Sequence, residues 1–109
     1  MQKMMTKTLE KQLPKLYETD GQGNAAIARG HWFTSNADWF ATEYDAETGD
    51  CFGLVKFYGY KPELGYFNLH EFEKMNAQPW HLVGGEMRLI LIERDLHWTP
   101  RTIAECREY

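Results

Sequence analysis

Several features that would assign a chain to a functional class are missing from this one. Only two cysteines occur, Cys51 and Cys106, and they stand in no C-x-x-C or Cys/His spacing. Zinc sites and disulfide frameworks need more ligands than that, so two reduced thiols in a cytosolic protein are expected. Serine occurs once, at Ser35, with no Gly-x-Ser-x-Gly elbow around it, which leaves a serine hydrolase without its nucleophile turn. No His-Glu-x-x-His spacing is present among His31, His70, His81 and His97. No stretch approaches the ~18 consecutive apolar residues of a membrane-spanning helix. The first residues, Met1 to Lys7, lack the apolar core and small-residue cleavage site of a signal peptide. A membrane is therefore not an expected partner, and the cytoplasm is the expected location.

Positive charge is also short. The 109 residues carry 12 Lys and Arg against 16 Asp and Glu, for a net charge of -4. The deficit concentrates in residues 21–60, where Arg29 and Lys56 face Asp38, Glu43, Asp45, Glu47 and Asp50. Binding to a phosphate backbone relies on a basic patch, so direct nucleic-acid binding is disfavoured. The loop Glu18 to Asn24 holds Gly21 and Gly23, but no Lys-Ser/Thr follows it, so it is not a phosphate-binding fingerprint. Nothing in the spacing calls for a cofactor.

What the chain has in excess is aromatic side chains, at 15% of residues: six Phe, six Tyr and four Trp. Around them the pattern predicts an α+β fold over residues 1–109 as one domain. Met5, Leu9 and Leu13 recur every four residues and predict a helix that Pro14 ends, with Lys3, Lys7, Lys11 and Lys15 as its solvated stripe. Leu16 and Tyr17 are expected to close over the core from a following turn. Ala25 to Phe33, Asp38 to Asp45, Cys51 to Tyr58 and Glu63 to Leu69 read as strands joined by turns at Ala46–Asp50 and Gly59–Pro62. Asn68 is a candidate N-cap for a helix from about His70 to Met75. Ala77 to Glu86 reads as an exposed loop, and Met87 to Glu93 as the central strand. Thr99 and Pro100 predict the start of a C-terminal helix. An antiparallel sheet of about five strands, with short helices at the N-terminus, after Leu69 and at the C-terminus, follows from that tally.

Two clusters could carry metal or acid–base chemistry. Glu43-Tyr44-Asp45, read as a strand, places both carboxylates on one face, which suits Mg²⁺ or an acid/base pair and equally suits a solvated strand end. Glu93, Asp95 and His97 alternate onto one side and could hold a divalent ion, or form an ion-pair network with a neighbouring strand. The aromatics outnumber what a one-sided sheet of this length can bury. Trp39, Tyr58, Tyr60 and Tyr66, interleaved with Glu43, Asp45 and Glu63, are therefore expected to form a protein-binding surface.

The runs Asp38-Trp39-Phe40-Ala41-Thr42-Glu43-Tyr44-Asp45, Glu63-Leu64-Gly65-Tyr66-Phe67-Asn68-Leu69 and Ile92-Glu93-Arg94-Asp95-Leu96-His97-Trp98-Thr99-Pro100 resemble a family of small bacterial proteins of unknown function. Its pattern is W-x-x-T-E-Y-D, E-L-G-Y-F-S-L and E-R-D-x-x-F-x-P, preceded by an L-P-x-L-Y turn that matches Leu13 to Tyr17. Asn68 stands where Ser is usual and Trp98 where Phe is usual. The resemblance implies a gene carried on conjugative plasmids, integrative elements or phages, and brings no established reaction with it. The expected function is that of an accessory protein of a mobile genetic element that binds a protein partner. A host defence complex is the expected partner, which would make it an anti-CRISPR or anti-restriction inhibitor. The competing expectation is a small metal-dependent enzyme acting on nucleic acid or nucleotide through Glu43, Glu63, Glu93, Asp95 and His97.

Overall fold

Residues 2–109 are described by the computed structural model; Met1, where the leader reading begins, lies outside them. Helix α1 (Lys7–Gln12) starts where the Thr6 hydroxyl accepts the Leu9 N–H at 3.2 Å and stops before Pro14. It is shorter than the Met5–Leu13 repeat implied, because a threonine cap and a proline bound it on both sides. Its lysines face solvent while Leu9 packs on the core. Leu16 and Tyr17 do not close over that core as expected. Tyr17 is exposed and carries a left-handed backbone, φ 74°, that turns the chain outward.

Strands β2 (Gly30–Phe33), β3 (Ala37–Tyr44), β4 (Asp50–Phe57), β5 (Glu63–Asn68) and β8 (Glu93–Arg94) make one sheet in the order β5-β4-β3-β2-β8, antiparallel throughout. This is the predicted α+β architecture with its five-stranded antiparallel sheet. A second ladder pairs β1 (Ile27–Ala28) with β9 (Arg101–Thr102), and a hairpin joins β6 (Trp80–Val83) to β7 (Glu86–Leu89). Helix α2 (Leu69–Ala77) begins at Asn68, whose side chain accepts the Glu71 N–H, as the sequence suggested. Helix α3 (Ile103–Arg107) begins later than Thr99-Pro100 predicted. Thr102 and Glu105 form a reciprocal capping box there, which satisfies two otherwise orphaned donors.

The sheet carries core on both faces, where Trp32, Trp39, Phe40, Tyr44, Phe67 and Phe72 are buried, while Tyr17, Phe57, Tyr58, Tyr60, Tyr66, Trp80 and Tyr109 stay exposed. On one side Trp32, Trp39, Ala41, Cys51 and Phe67 pack against Met4, Leu13, Ile92 and α2 residues Leu69 and Phe72. On the other, Phe40 and Leu54 meet Ala26, Ala28, Ile103 and Cys106, with Trp98 over them. A one-sided sheet would have left half of these side chains in water. Strand β3 is the central one, and its close approach to β4 is permitted by Gly53: a Cβ there would lie 1.7 Å from the Phe40 carbonyl oxygen.

The largest departure from expectation lies between Gln78 and Glu93. The predicted loop is a β-hairpin turning at Gly84-Gly85, both with positive φ, and the predicted central strand splits into its second arm and an edge strand. One side-chain amide accounts for the break before the edge strand, because it pairs with backbone that a strand would otherwise have claimed, and a second borders the edge strand itself. Buried Asn76 accepts the Ile92 N–H and donates to the Ile92 carbonyl, both at 2.9 Å. Gln2 does the same for Arg94, at 2.7 and 3.1 Å. No signal in the local pattern of Met87 to Glu93 reveals amides supplied from residues that far away.

Gly53→Ala is expected to lower stability by about 2 kcal/mol or more, while Gly65→Ala, which meets open space on β5, stays within about 0.5 kcal/mol. Thermal denaturation of the pair checks this. Asn76→Ala strands two buried backbone groups and is expected to cost about 2–4 kcal/mol, read from urea titration as a shifted midpoint.

Candidate functional site

Pairing between β3 and β4 slips at one residue. Ala41 opposes Gly53 and Glu43 opposes Phe52, so Thr42 is an extra residue, a β-bulge held by its hydroxyl donating to the Phe52 carbonyl at 3.1 Å. Strict alternation would have put Glu43 on the α2 side. The bulge instead sends Glu43 to the opposite face with Phe52, and returns Tyr44 to the α2 side with Cys51. Asp45 lies beyond the strand and accepts the Glu47 N–H at 2.9 Å in the hairpin loop. The strand ends at Tyr44, between the two carboxylates expected to act together, and that separates them: Glu43 lies in the sheet and Asp45 in the loop.

Glu43 is 3% exposed and forms one wall of a cavity of about 400 Å³, which Tyr17, Thr42, Phe52, Leu64, Tyr66 and Ile103 help to line. Its Oε1 accepts the Tyr17 N–H and its Oε2 accepts the Thr19 N–H, each at 2.8 Å, and the Thr19 hydroxyl also donates to Oε2. These bonds hold the left-handed turn at Tyr17 that forms the cavity rim. Tyr66 stands at the mouth with its ring 5.0 Å from that of Phe52. Its phenol is pushed above the ordinary tyrosine value by the neighbouring Tyr17 hydroxyl first, then by burial and by the carboxylates of Glu43 and Asp20.

Of the other residues expected at a binding surface, Tyr58 and Tyr60 are exposed in the β4–β5 turn and Glu63 is exposed at the start of β5. Trp39 is 8% exposed and belongs to the core, its ring tilted against that of Phe72 at 4.7 Å, so it does not present itself on the surface. It does form the floor of a second cavity of about 420 Å³, whose walls include Phe57, Met75, Leu89, Leu91 and Ile92. Phe57, Met75, Leu89 and Leu91 are all exposed there. The hairpin continues this apolar surface. Trp80 opposes Leu89 and Leu82 opposes Met87, so one face of the hairpin carries four exposed apolar side chains. Sequence reasoning missed this surface by reading Ala77 to Glu86 as a loop. The alternation of Trp80, Leu82, Met87 and Leu89 across a Gly-Gly turn was the available signal.

Of the other expected cluster, only the Asp95 side chain enters an ion-pair network. His31, 3% exposed, lies between two carboxylates: its Nδ1 is 2.8 Å from Asp95 Oδ2 and its Nε2 is 2.7 Å from Asp38 Oδ1. Both ring nitrogens thus lie within hydrogen-bond distance of a carboxylate. Phe40 stacks on it at 4.6 Å, and Phe33, Trp98 and Tyr109 enclose it, with Arg101 over Trp98. Burial pushes the Asp95 carboxyl up. The hydrogen bonds from the His31 ring and the His97 backbone N–H outweigh it and hold the group below its ordinary value. His97 contributes that backbone N–H at 2.9 Å, while its side chain and that of Glu93 are exposed. Among the described residues no three His, Cys, Asp or Glu side chains are grouped as a metal site requires, so Glu93, Asp95 and His97 do not converge on one point. His31 and Asp38 were the partners that local spacing could not supply.

The fold and these surfaces describe a small α+β domain with a two-faced antiparallel sheet, a cavity beside the buried Glu43 and an exposed apolar hairpin. The chain belongs to the family described as protein of unknown function (DUF2958), whose model matches residues 1–105. No curated protein and no solved structure matches it significantly. No helix among the described residues is long and apolar enough to cross a membrane.

Asp95 ties pH to stability. Its folded-state pKa is lowered, so its contribution is complete above the unfolded carboxylate range and is lost as pH falls through the folded value. Asp95→Asn is therefore expected to cost about 1–3 kcal/mol at pH 7. The deficit should fade below about pH 4, as measured by chemical denaturation at each pH.

Proposed function

We propose that the protein acts by binding another protein, inside the cell, as an accessory factor of a mobile genetic element that inhibits a host defence complex. The observation that carries protein binding is the apolar surface formed by the cleft of Phe57, Met75, Leu89 and Leu91 and the hairpin face of Trp80, Leu82, Met87 and Leu89. Apolar side chains are common on surfaces when scattered singly; a contiguous set on one cleft and one hairpin face is a feature of interaction sites. A two-stranded hairpin is also marginally stable by itself in water, and a partner covering its apolar face would supply the missing burial. Tyr58 and Tyr60 in the β4–β5 turn adjoin the cleft through Phe57, and Glu63 opposes Val55 on the same side of the sheet, whereas Tyr66 faces the other side with Phe52. The amphipathic rings of Tyr58 and Tyr60 are the side chains that protein interfaces favour.

The defence role rests on the resemblance alone, and a functional assay tests it. Hosts carrying an active restriction or CRISPR system are transformed with a targeted plasmid, with and without the protein. Protection of at least tenfold is expected, with co-purification of a component of that system. Leu82→Asp and Leu89→Asp alter exposed positions, so each should fold normally and lose both protection and capture. Absence of protection in every system tested overturns the inhibitor role. Protection that survives both substitutions overturns the apolar surface as its cause.

A further inference from the structure

We propose that the cavity beside Glu43 is a recognition pocket for an organic cation on an apolar stem, of which an arginine side chain is the best-fitting example. The site is separate from the apolar cleft and does not depend on it. Buried carboxylates are ordinarily matched by a positive side chain or a metal ion. Glu43 is matched by neither among the described residues: no Lys, Arg or His lies within ion-pair distance of it. Its three accepted hydrogen bonds come from two backbone N–H groups and one hydroxyl, which orient the carboxylate without cancelling its charge. Two oxygens offer about four acceptor sites, so one remains on Oε1.

The surroundings select the kind of charge. Asp20 adds a second carboxylate to the lining, which repels anions. A divalent metal would need a third oxygen or nitrogen ligand, and no such group of three exists among the described residues. Phe52, Tyr66 and Leu64 make the opposite wall apolar and aromatic, as a guanidinium plane and its methylene stem require. The tyrosine phenol at the mouth already senses both carboxylates, in accord with an open negative field there. A cavity of about 400 Å³ admits a side chain of that size and falls within the range of small-ligand pockets. The bulge at Thr42, which costs one ladder pairing, is what brings the charge to this face.

The test is an NMR titration of the full chain with acetyl-Gly-Arg-Gly-amide, with the same peptide carrying neutral citrulline, and with free agmatine. Saturable shifts at Thr19, Phe52 and Tyr66 are expected with the arginine peptide, at least tenfold weaker with citrulline. Tighter binding of the peptide than of agmatine assigns the cation to a protein; the reverse assigns it to a free small molecule, and either result supports the pocket. Tyr66→Ala, at an exposed position that leaves the Glu43 bonds intact, should weaken the arginine peptide at least tenfold. Glu43→Gln should abolish binding, and its folding is checked by the unchanged spectrum of the α2 side. No saturable shift with either cation, or equal shifts with citrulline, overturns the proposal. Leu89→Asp should leave this titration unchanged, so failure here and failure of the protein-binding surface are read separately.

Discussion

Strand β3 lies between β2 and β4 and buries side chains on both of its faces, so everything packed on the sheet depends on how those side chains are shared out. Up to Ala41 the sharing is strict: Trp39 and Ala41 go to the α2 side, Asp38 and Phe40 to the α3 side. The extra residue at Thr42 then breaks the alternation, and the strand continues with Glu43 on the α3 side and Tyr44 on the other. Without that slip, a carboxylate would face the aromatic core, where burying a charge without partners costs several kcal/mol. With it, the same carboxylate meets the Tyr17–Thr19 turn, whose free N–H groups need an acceptor. One bulge therefore settles the core, the N-terminal turn and the cavity together.

The acids on this face are held in different ways. Asp38 and Asp95 share His31, a side chain that can donate from both nitrogens, and the aromatic rings around it exclude water from the network. That network fastens β8 and the C-terminal segment to the sheet, and each of its carboxylates has an imidazole nitrogen as a partner. Glu43 has donors but no compensating cation among the described residues. The contrast is chemical rather than positional, and it separates a structural cluster from a surface able to receive a ligand. Lys56 offers a similar structural case: its ammonium donates to the carbonyls of Cys106 and Tyr109 and so caps the end of α3.

The apolar hairpin occupies the opposite extreme. Its arms pair only with each other, and its backbone is tied to the domain by the Ile90 N–H donating to Pro79 and by the adjoining Ile92–Asn76 pair. Trp80, Leu82, Met87 and Leu89 thus stand on a narrow support with no layer over them among the described residues. The domain core is complete without them, since both faces of the main sheet are already covered.

Local chemistry determined a good part of this protein. The strands from Asp38 to Tyr58 and from Glu63 to Leu69, the Gly49 hairpin loop and the Asn68 cap were legible because alternation, turn residues and capping act between neighbours in sequence. Family membership was legible for the same reason, in short ordered motifs. What the sequence did not determine were relations between distant residues. Trp39 and Tyr58 look equally fit for a surface, yet one lies under α2 and the other is 87% exposed. Met87 to Glu93 looks like a central strand, yet Asn76 takes the pairing groups of Ile92 within it. Glu43 and Asp45 look like a pair, yet the strand ends between them and Asp45 turns into the hairpin loop. Burial, register and charge compensation are properties of packed neighbours, and only the tertiary structure decides who those neighbours are.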